Sequence, residues 1–187
     1  MADKIKILGI AGSLRKGSYN QSALKAAVEL VPEGAEIEVY DLEGFPGYNQ
    51  DMDGDPPAKV TEFKQKIRGA DAILFSSPEY NYSVPGVLKN AIDWASRPYG
   101  DSAWDGKPAA IMGASSGVIG TARMQYHLRQ SMVFLNMFPL NRPEVMIGKA
   151  GEKFDADGNL TDETTKKFIR QMLEALVDDV RKRKDEK

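Results

Sequence analysis

Residues 9–20 read Gly9-Ile10-Ala11-Gly12-Ser13-Leu14-Arg15-Lys16-Gly17-Ser18-Tyr19-Asn20, and their reading decides the fold. An apolar run, Ile5 to Ile10, leads into this stretch. A helix-compatible run, Gln21 to Leu30, follows it. The layout is a strand, a tight loop and a helix N-terminus. Free backbone N–H groups and the positive end of the helix dipole make such a loop an anion site. Ser13 and Ser18 offer hydroxyls, Asn20 an amide, and Arg15 a fork suited to phosphate. The same stretch also reads as an ordinary strand–helix turn with a Ser or Asn cap. Neither common nucleotide fingerprint fits. Gly9 and Gly12 do not make G-x-G-x-x-G, and Ser18-Tyr19 stand where a P-loop needs Lys and Ser/Thr. A phosphate loop built from hydroxyls and an Arg points to a mononucleotide.

Further along, apolar runs alternate with helical patterns. Ala35–Tyr40 alternates as a short second strand, and Gly44 to Pro57 is a Gly-, Pro- and Asp-rich loop. Asp51, Asp53 and Asp55 partly match a calcium loop, but the glycine is misplaced and Pro56-Pro57 would break the turn. Val60–Gly69 carries Val60, Phe63 and Ile67 at helical spacing. Ala70–Ser76 is a continuous apolar run, as in a central parallel strand. Val87–Ala95 is a third helix. Lys107–Ala114 is a fourth strand, Ile119–Phe134 a long helix, and Met137–Ile147 contains a fifth strand interrupted by Pro139 and Pro143. Residues 154–160 read as a turn with a small hairpin. Thr161 caps a last helix whose acidic start and basic end match the macrodipole. Five βα units in sequence give a parallel sheet with helices on both faces.

The 187 residues, at a net charge of −2, are most simply one domain spanning 1–187, with no pull toward nucleic acid or an anionic membrane. There is no cysteine, so thiol catalysis and disulfides are excluded. The first residues lack the apolar core of a leader peptide, and no apolar stretch reaches spanning length. A cytoplasmic enzyme is the expectation.

In open α/β sheets ligands sit at the carboxyl ends of strands, where the strand order reverses. The loops after strands one, three and four are the unusual ones. The second reads Ser77-Pro78-Glu79-Tyr80-Asn81-Tyr82-Ser83-Val84-Pro85-Gly86. Asn81 and Ser83 can hydrogen-bond a heteroaromatic edge, the backbone at Pro78-Glu79 can present polar groups to it, and Tyr80 and Tyr82 offer flat faces. The third, Ser115-Ser116-Gly117, lets a backbone approach a ring closely.

The phosphate loop 12–20 and the run from Ser77 through Val87-Leu88-Lys89-Asn90-Ala91-Ile92-Asp93-Trp94 resemble the NADPH-dependent FMN reductase family, in particular its chromate and quinone reductase branch. The match follows order and spacing over nearly the whole chain. It implies a flavodoxin-like three-layer α/β sandwich with a five-stranded parallel sheet. The strand order 2-1-3-4-5 is taken from flavodoxin, the usual example of such sheets, and not from these residues. It implies non-covalent FMN, with Ser13, Arg15, Ser18 and Asn20 on the phosphate and Tyr19 beside them. Pro78, Glu79, Tyr80 and Asn81 would surround the isoalloxazine, with Ser115 and Gly117 next to the ring. NADPH or NADH would donate hydride, and a quinone, or chromate, azo or nitro compounds, would accept the electrons. No residue of the chain is assigned as acid, base or nucleophile, because the flavin carries the chemistry.

The resemblance also implies a homodimer or homotetramer. Tyr82, Arg97, Tyr99 and Trp104 lie on or beside the rim loops, with Arg123, Tyr126, His127 and Arg129 on the long helix and Glu144 as a partner across subunits. His127, the only histidine, reads as a surface or interface residue. Two other readings of the chain are a flavin-binding electron carrier or redox sensor for a protein partner, and a nucleotide-binding module without redox chemistry. The weak net charge argues against the carrier, since such proteins present strongly acidic faces.

Overall fold

The computed structural model describes residues 4–186. Met1–Asp3, read above as free of a leader, and Lys187 at the tip of the charged tail lie outside them. Four strands run parallel in the interior of the sheet and its first edge: β1 (Ile5–Ala11), β2 (Ala35–Tyr40), β3 (Ala72–Ser76) and β4 (Pro108–Ala114). Every residue of β3 and β4 is buried, which is why both read as unbroken apolar runs. The order is β2-β1-β3-β4-β5, with β6 also paired to β4.

The expected fifth strand is split. β5 (Phe138–Pro139) pairs with Pro108–Ala109, the chain then leaves, and β6 (Val145–Ile147) pairs with Met112–Ala114. Pro139 and Pro143 have no N–H to give a ladder, so the interruption falls where the sequence puts it.

The helices are α1 (Tyr19–Glu29), α2 (Ala58–Gly69), α3 (Gly86–Ala95), α4 (Ala122–Phe134) and α5 (Glu163–Asp185). One apolar cluster joins α1 and α5 to one face of the sheet, and another joins α2, α3 and α4 to the other. In α5, Ile169, Met172, Leu173, Leu176, Val177 and Val180 form the stripe that faces the sheet.

Two helix starts differ from expectation. α4 begins at Ala122, not Ile119, because Gly120 sits at φ +67 with its backbone pressed against Met146. The cap of α5 is Asp162, whose carboxylate accepts from the Thr165 N–H at 2.8 Å, while the Thr161 hydroxyl donates to the Lys153 carbonyl. Both residue types cap well, but a carboxylate also gains from the helix dipole.

Two residues of the run 77–94 prove to be braces. Asn90 Nδ2 and the Trp94 indole N–H both donate to the Pro46 carbonyl, at 2.8 and 2.9 Å, and Asn90 Oδ1 accepts from the Tyr48 N–H. They pin the loop 44–57 to α3.

Candidate functional site

The carboxyl ends of β1, β3 and β4 meet at a cavity of about 310 Å³. Ser13, Arg15, Ser18, Tyr19 and Asn20 line it from the first loop, Pro78, Glu79 and Tyr80 from the second, and Ala114, Ser115 and Ser116 from the third. The three loops singled out in the sequence therefore converge on one place. Of the expected residues, Asn81 and Gly117 do not line the cavity, and Ser116 does.

The first loop is drawn tight by its own side chains. Ser13 Oγ accepts from the Arg15 N–H, and Ser18 Oγ caps α1 by accepting from the Asn20 N–H at 3.2 Å. Gln21, which sequence reasoning passed over, donates its amide to the Ser13 carbonyl at 3.0 Å. The N–H groups of Leu14, Lys16 and Gly17 have no partner among the described residues. That leaves free donors in the loop that leads into the N-terminus of α1, where an anion is favoured. Arg15 is exposed, donating to the Gly17 carbonyl at 2.7 Å with its guanidinium 5.9 Å from the Tyr19 ring centre. Gly12 brings the first two loops together: a Cβ there would lie 2.3 Å from Ser77 Oγ.

Asn20 lines the cavity and also braces the fold. Its amide is buried and bonded to the end of β4, donating to the Ala114 carbonyl at 2.9 Å and accepting from the Ala114 N–H at 2.8 Å. It floors the cradle and ties α1 to β4. Ser76 Oγ adds a bond to the Asn20 carbonyl.

The second loop is a tight hairpin. Tyr80 and Ser83 exchange backbone hydrogen bonds, and Asn81 and Tyr82 between them have φ of +51 and +66. Two left-handed residues in a row are the signature of a type I′ turn, which prefers Asn followed by Gly. Tyr in the second place carries strain of about 1–3 kcal/mol.

Glu79 lines the cavity with its carboxylate bonded to α4. Its carboxylate accepts from the N–H groups of Arg123 and Met124 in the first turn of α4 and pairs with Arg123 Nε. It is the one acid among the lining residues, and its charge is already matched. A phosphorylated, electron-rich ligand therefore meets donors and no unmatched carboxylate, so the residues present fit FMN.

Around the rim, the expectations divide. Tyr82 and Tyr99 are exposed, each with an arginine, Arg123 and Arg97, over its ring. Trp104 is instead fully buried, its indole N–H donating to the Ile92 carbonyl, because it fills the core between β3 and α2. Arg129 donates to the Leu140 carbonyl. The nearby Glu144 carboxylate holds the Tyr126 phenol above the usual range. His127 Nδ1 lies 2.8 Å from Ser83 Oγ, so the only histidine braces the second loop. Arg123 and His127 carried no motif. Their i, i+4 spacing on one exposed helix face was the available signal.

A family model described as NADPH-dependent FMN reductase matches residues 5–152. An NAD(P)H-dependent FMN reductase of Pseudomonas aeruginosa is 59% identical over 178 residues, covering 94% of this chain and 95% of that protein. A 2-hydroxy-1,4-benzoquinone reductase of a Burkholderia species is 44% identical over 180 residues, covering 96% and 98%. Among solved structures, the flavoenzyme NAD(P)H:(acceptor) oxidoreductase FerB of Paracoccus denitrificans superposes with a TM-score of 0.87 at 40% identity, covering 95% of this chain and 98% of that one.

Proposed function

The chain belongs to the NADPH-dependent FMN reductase family, and from that premise we propose how its own residues make it an FMN-dependent NAD(P)H oxidoreductase acting on quinones. The observation that carries the proposal is the cavity at the ends of β1, β3 and β4, lined by Ser13, Arg15 and Ser18 and with its only acid paired to α4. Ser13, Arg15, Ser18 and the free N–H groups of the first loop hold the phosphate, with Tyr19 alongside. The ring would lie along the backbone of Pro78, Glu79 and Tyr80, with Ser115 and Ser116 on its third side. When bound, FMN would supply the redox chemistry between NADPH or NADH and the acceptor. The protein's part is to bind, orient and leave one ring face open. Exposed Tyr80 and Tyr82 stand at that opening and offer flat faces to a planar acceptor. The same opening suits chromate, azo and nitro compounds. The chain acts as a cytoplasmic homodimer or homotetramer built on one domain spanning its length.

The purified protein is expected to be yellow and to release FMN on denaturation. Release of mostly FAD would overturn the cofactor assignment. Steady-state kinetics with NAD(P)H and a benzoquinone are expected to give parallel double-reciprocal lines, because one opening serves both substrates in turn. Intersecting lines would mean two separate pockets.

A further inference from the structure

The second loop does not hold its own shape. Its turn places an aromatic residue, Tyr82, in a left-handed conformation that favours glycine. What keeps it there lies on α4. The Arg123 guanidinium sits 3.6 Å from the centre of the Tyr82 ring. The same side chain pairs through Nε with Glu79, three residues earlier in the loop. Glu79 is only 7% exposed, and its other two contacts are the N–H groups that open α4. His127, one turn on, meets Ser83. The loop is thus gripped at Glu79, Tyr82 and Ser83 by one helix, and Arg123 supplies two of the three grips.

Arg123 is also the counter-charge of the one acid beside the cavity. A carboxylate this buried costs free energy unless it is paired. Without Arg123, the two α4 N–H groups remain, but the full charge of Glu79 is unmatched. The unmatched carboxylate then stands beside the cavity that Glu79 lines. A negative charge there opposes the phosphate and, more strongly, the electron-rich reduced ring.

We propose that Arg123 is a positioning residue for the cofactor: by clasping Glu79 and Tyr82 together it fixes the ring loop and keeps the Glu79 charge off the flavin. The proposal rests on the FMN reading above. It assigns Arg123 no contact with substrate or flavin.

Three variants test it in the flavin-loaded protein: Arg123→Ala, Arg123→Lys, and Arg123→Ala combined with Glu79→Gln. Arg123→Ala is expected to weaken FMN binding by about tenfold or more, through the loosened loop and the unmatched Glu79 charge, not through a lost contact to the flavin. It is also expected to move the potential of the bound flavin to more negative values. Arg123→Lys keeps a charge near Glu79 without the planar stack, and is expected to fall between. The double variant is expected to restore the potential, since no charge remains to face the ring, while the loop stays loosened. A loosened loop is read without flavin, as faster chymotryptic cleavage at Tyr80 and Tyr82 in the apoprotein. Unchanged potential and cleavage in Arg123→Ala would overturn the proposal, as would a double variant no better than the single one. If Arg123→Ala does not fold, Arg123→Lys carries the same comparison against Arg123→Lys with Glu79→Gln. Wild-type protein that fails to bind FMN would instead overturn the reading on which the proposal rests.

Discussion

Arg15 and Ser18 stand three residues apart in the first loop and serve it differently. Ser18 is buried, and its oxygen accepts from the Asn20 N–H to cap α1, which leaves its O–H to donate to a phosphate. Arg15 is exposed, with a single bond to the Gly17 carbonyl, so it is free to swing onto an anion held by the cradle. Arg15→Ala is therefore expected to leave the fold intact and to weaken FMN binding. A lost charge-assisted contact costs about 1.5–3 kcal/mol, or roughly 10- to 150-fold in affinity. Titration of apoprotein with FMN measures this. Unchanged affinity would take Arg15 off the phosphate.

At the scale of elements, the site depends on struts as well as on ligand contacts. Asn20 joins the start of α1 to the end of β4 through two buried bonds. In Asn20→Ala the Ala114 N–H and carbonyl lose their side-chain partner. Each orphaned buried group is expected to cost about 1–3 kcal/mol, readable by denaturant unfolding. A loss below about 1 kcal/mol in total would mean that water replaces the amide there. Lys64 and Arg68 on α2 play a similar part for the segment after α3. The Lys64 ammonium, nearly buried, reaches the Arg97 carbonyl and the Asp101 carboxylate, and Arg68 binds Asp101 from outside. The Lys64 bond, reinforced by Arg68, holds the Asp101 carboxyl below its usual range.

For the molecule as a whole, that depression has a pH signature. Asp101 is joined by Asp71, where the Lys184 bond and the Lys6 N–H outweigh burial, and by Asp155 and Asp162, held down by bonds from Asn159 and Thr165. A folded-state pKa below the unfolded value, about 3.9, favours the ionised folded form. The stability these groups add is fully present above that value and is lost as the pH falls through the lower folded values. Unfolding followed against pH is expected to show stability dropping below about pH 4. Asp101→Asn should be less stable at neutral pH and show a shallower acid drop. An unchanged slope would show that Asp101 contributes nothing to it.

The outer face of α4 bears on assembly. Tyr126, Val133 and Phe134 are exposed there, the last two at 83% and 73%, with Val118 and Ile119 just before the helix. Apolar surface gathered on one helix is what an interface covers. Light scattering is expected to report a multiple of 20.6 kDa, and Phe134→Glu is expected to shift the mass toward the monomer. A wild-type mass near 20.6 kDa would overturn the assembly.

The sequence alone determined the parallel sheet, its helices and the three loops that meet at the site. Those features rest on local patterns: continuous apolar runs for β3 and β4, hydroxyl and glycine chemistry in residues 12–20, and proline breaks at 139 and 143. Tertiary structure alone decided which polar side chains remain free to meet a ligand. Asn20 lost its freedom to a backbone 94 residues away, and Glu79 to a helix start 44 residues on. Trp104 went into the core, where its ring packs against Phe63 and Phe75. A side chain's hydrogen-bond capacity is written in its residue type, but its partner depends on which distant backbone groups folding leaves unpaired nearby, and no local pattern records them.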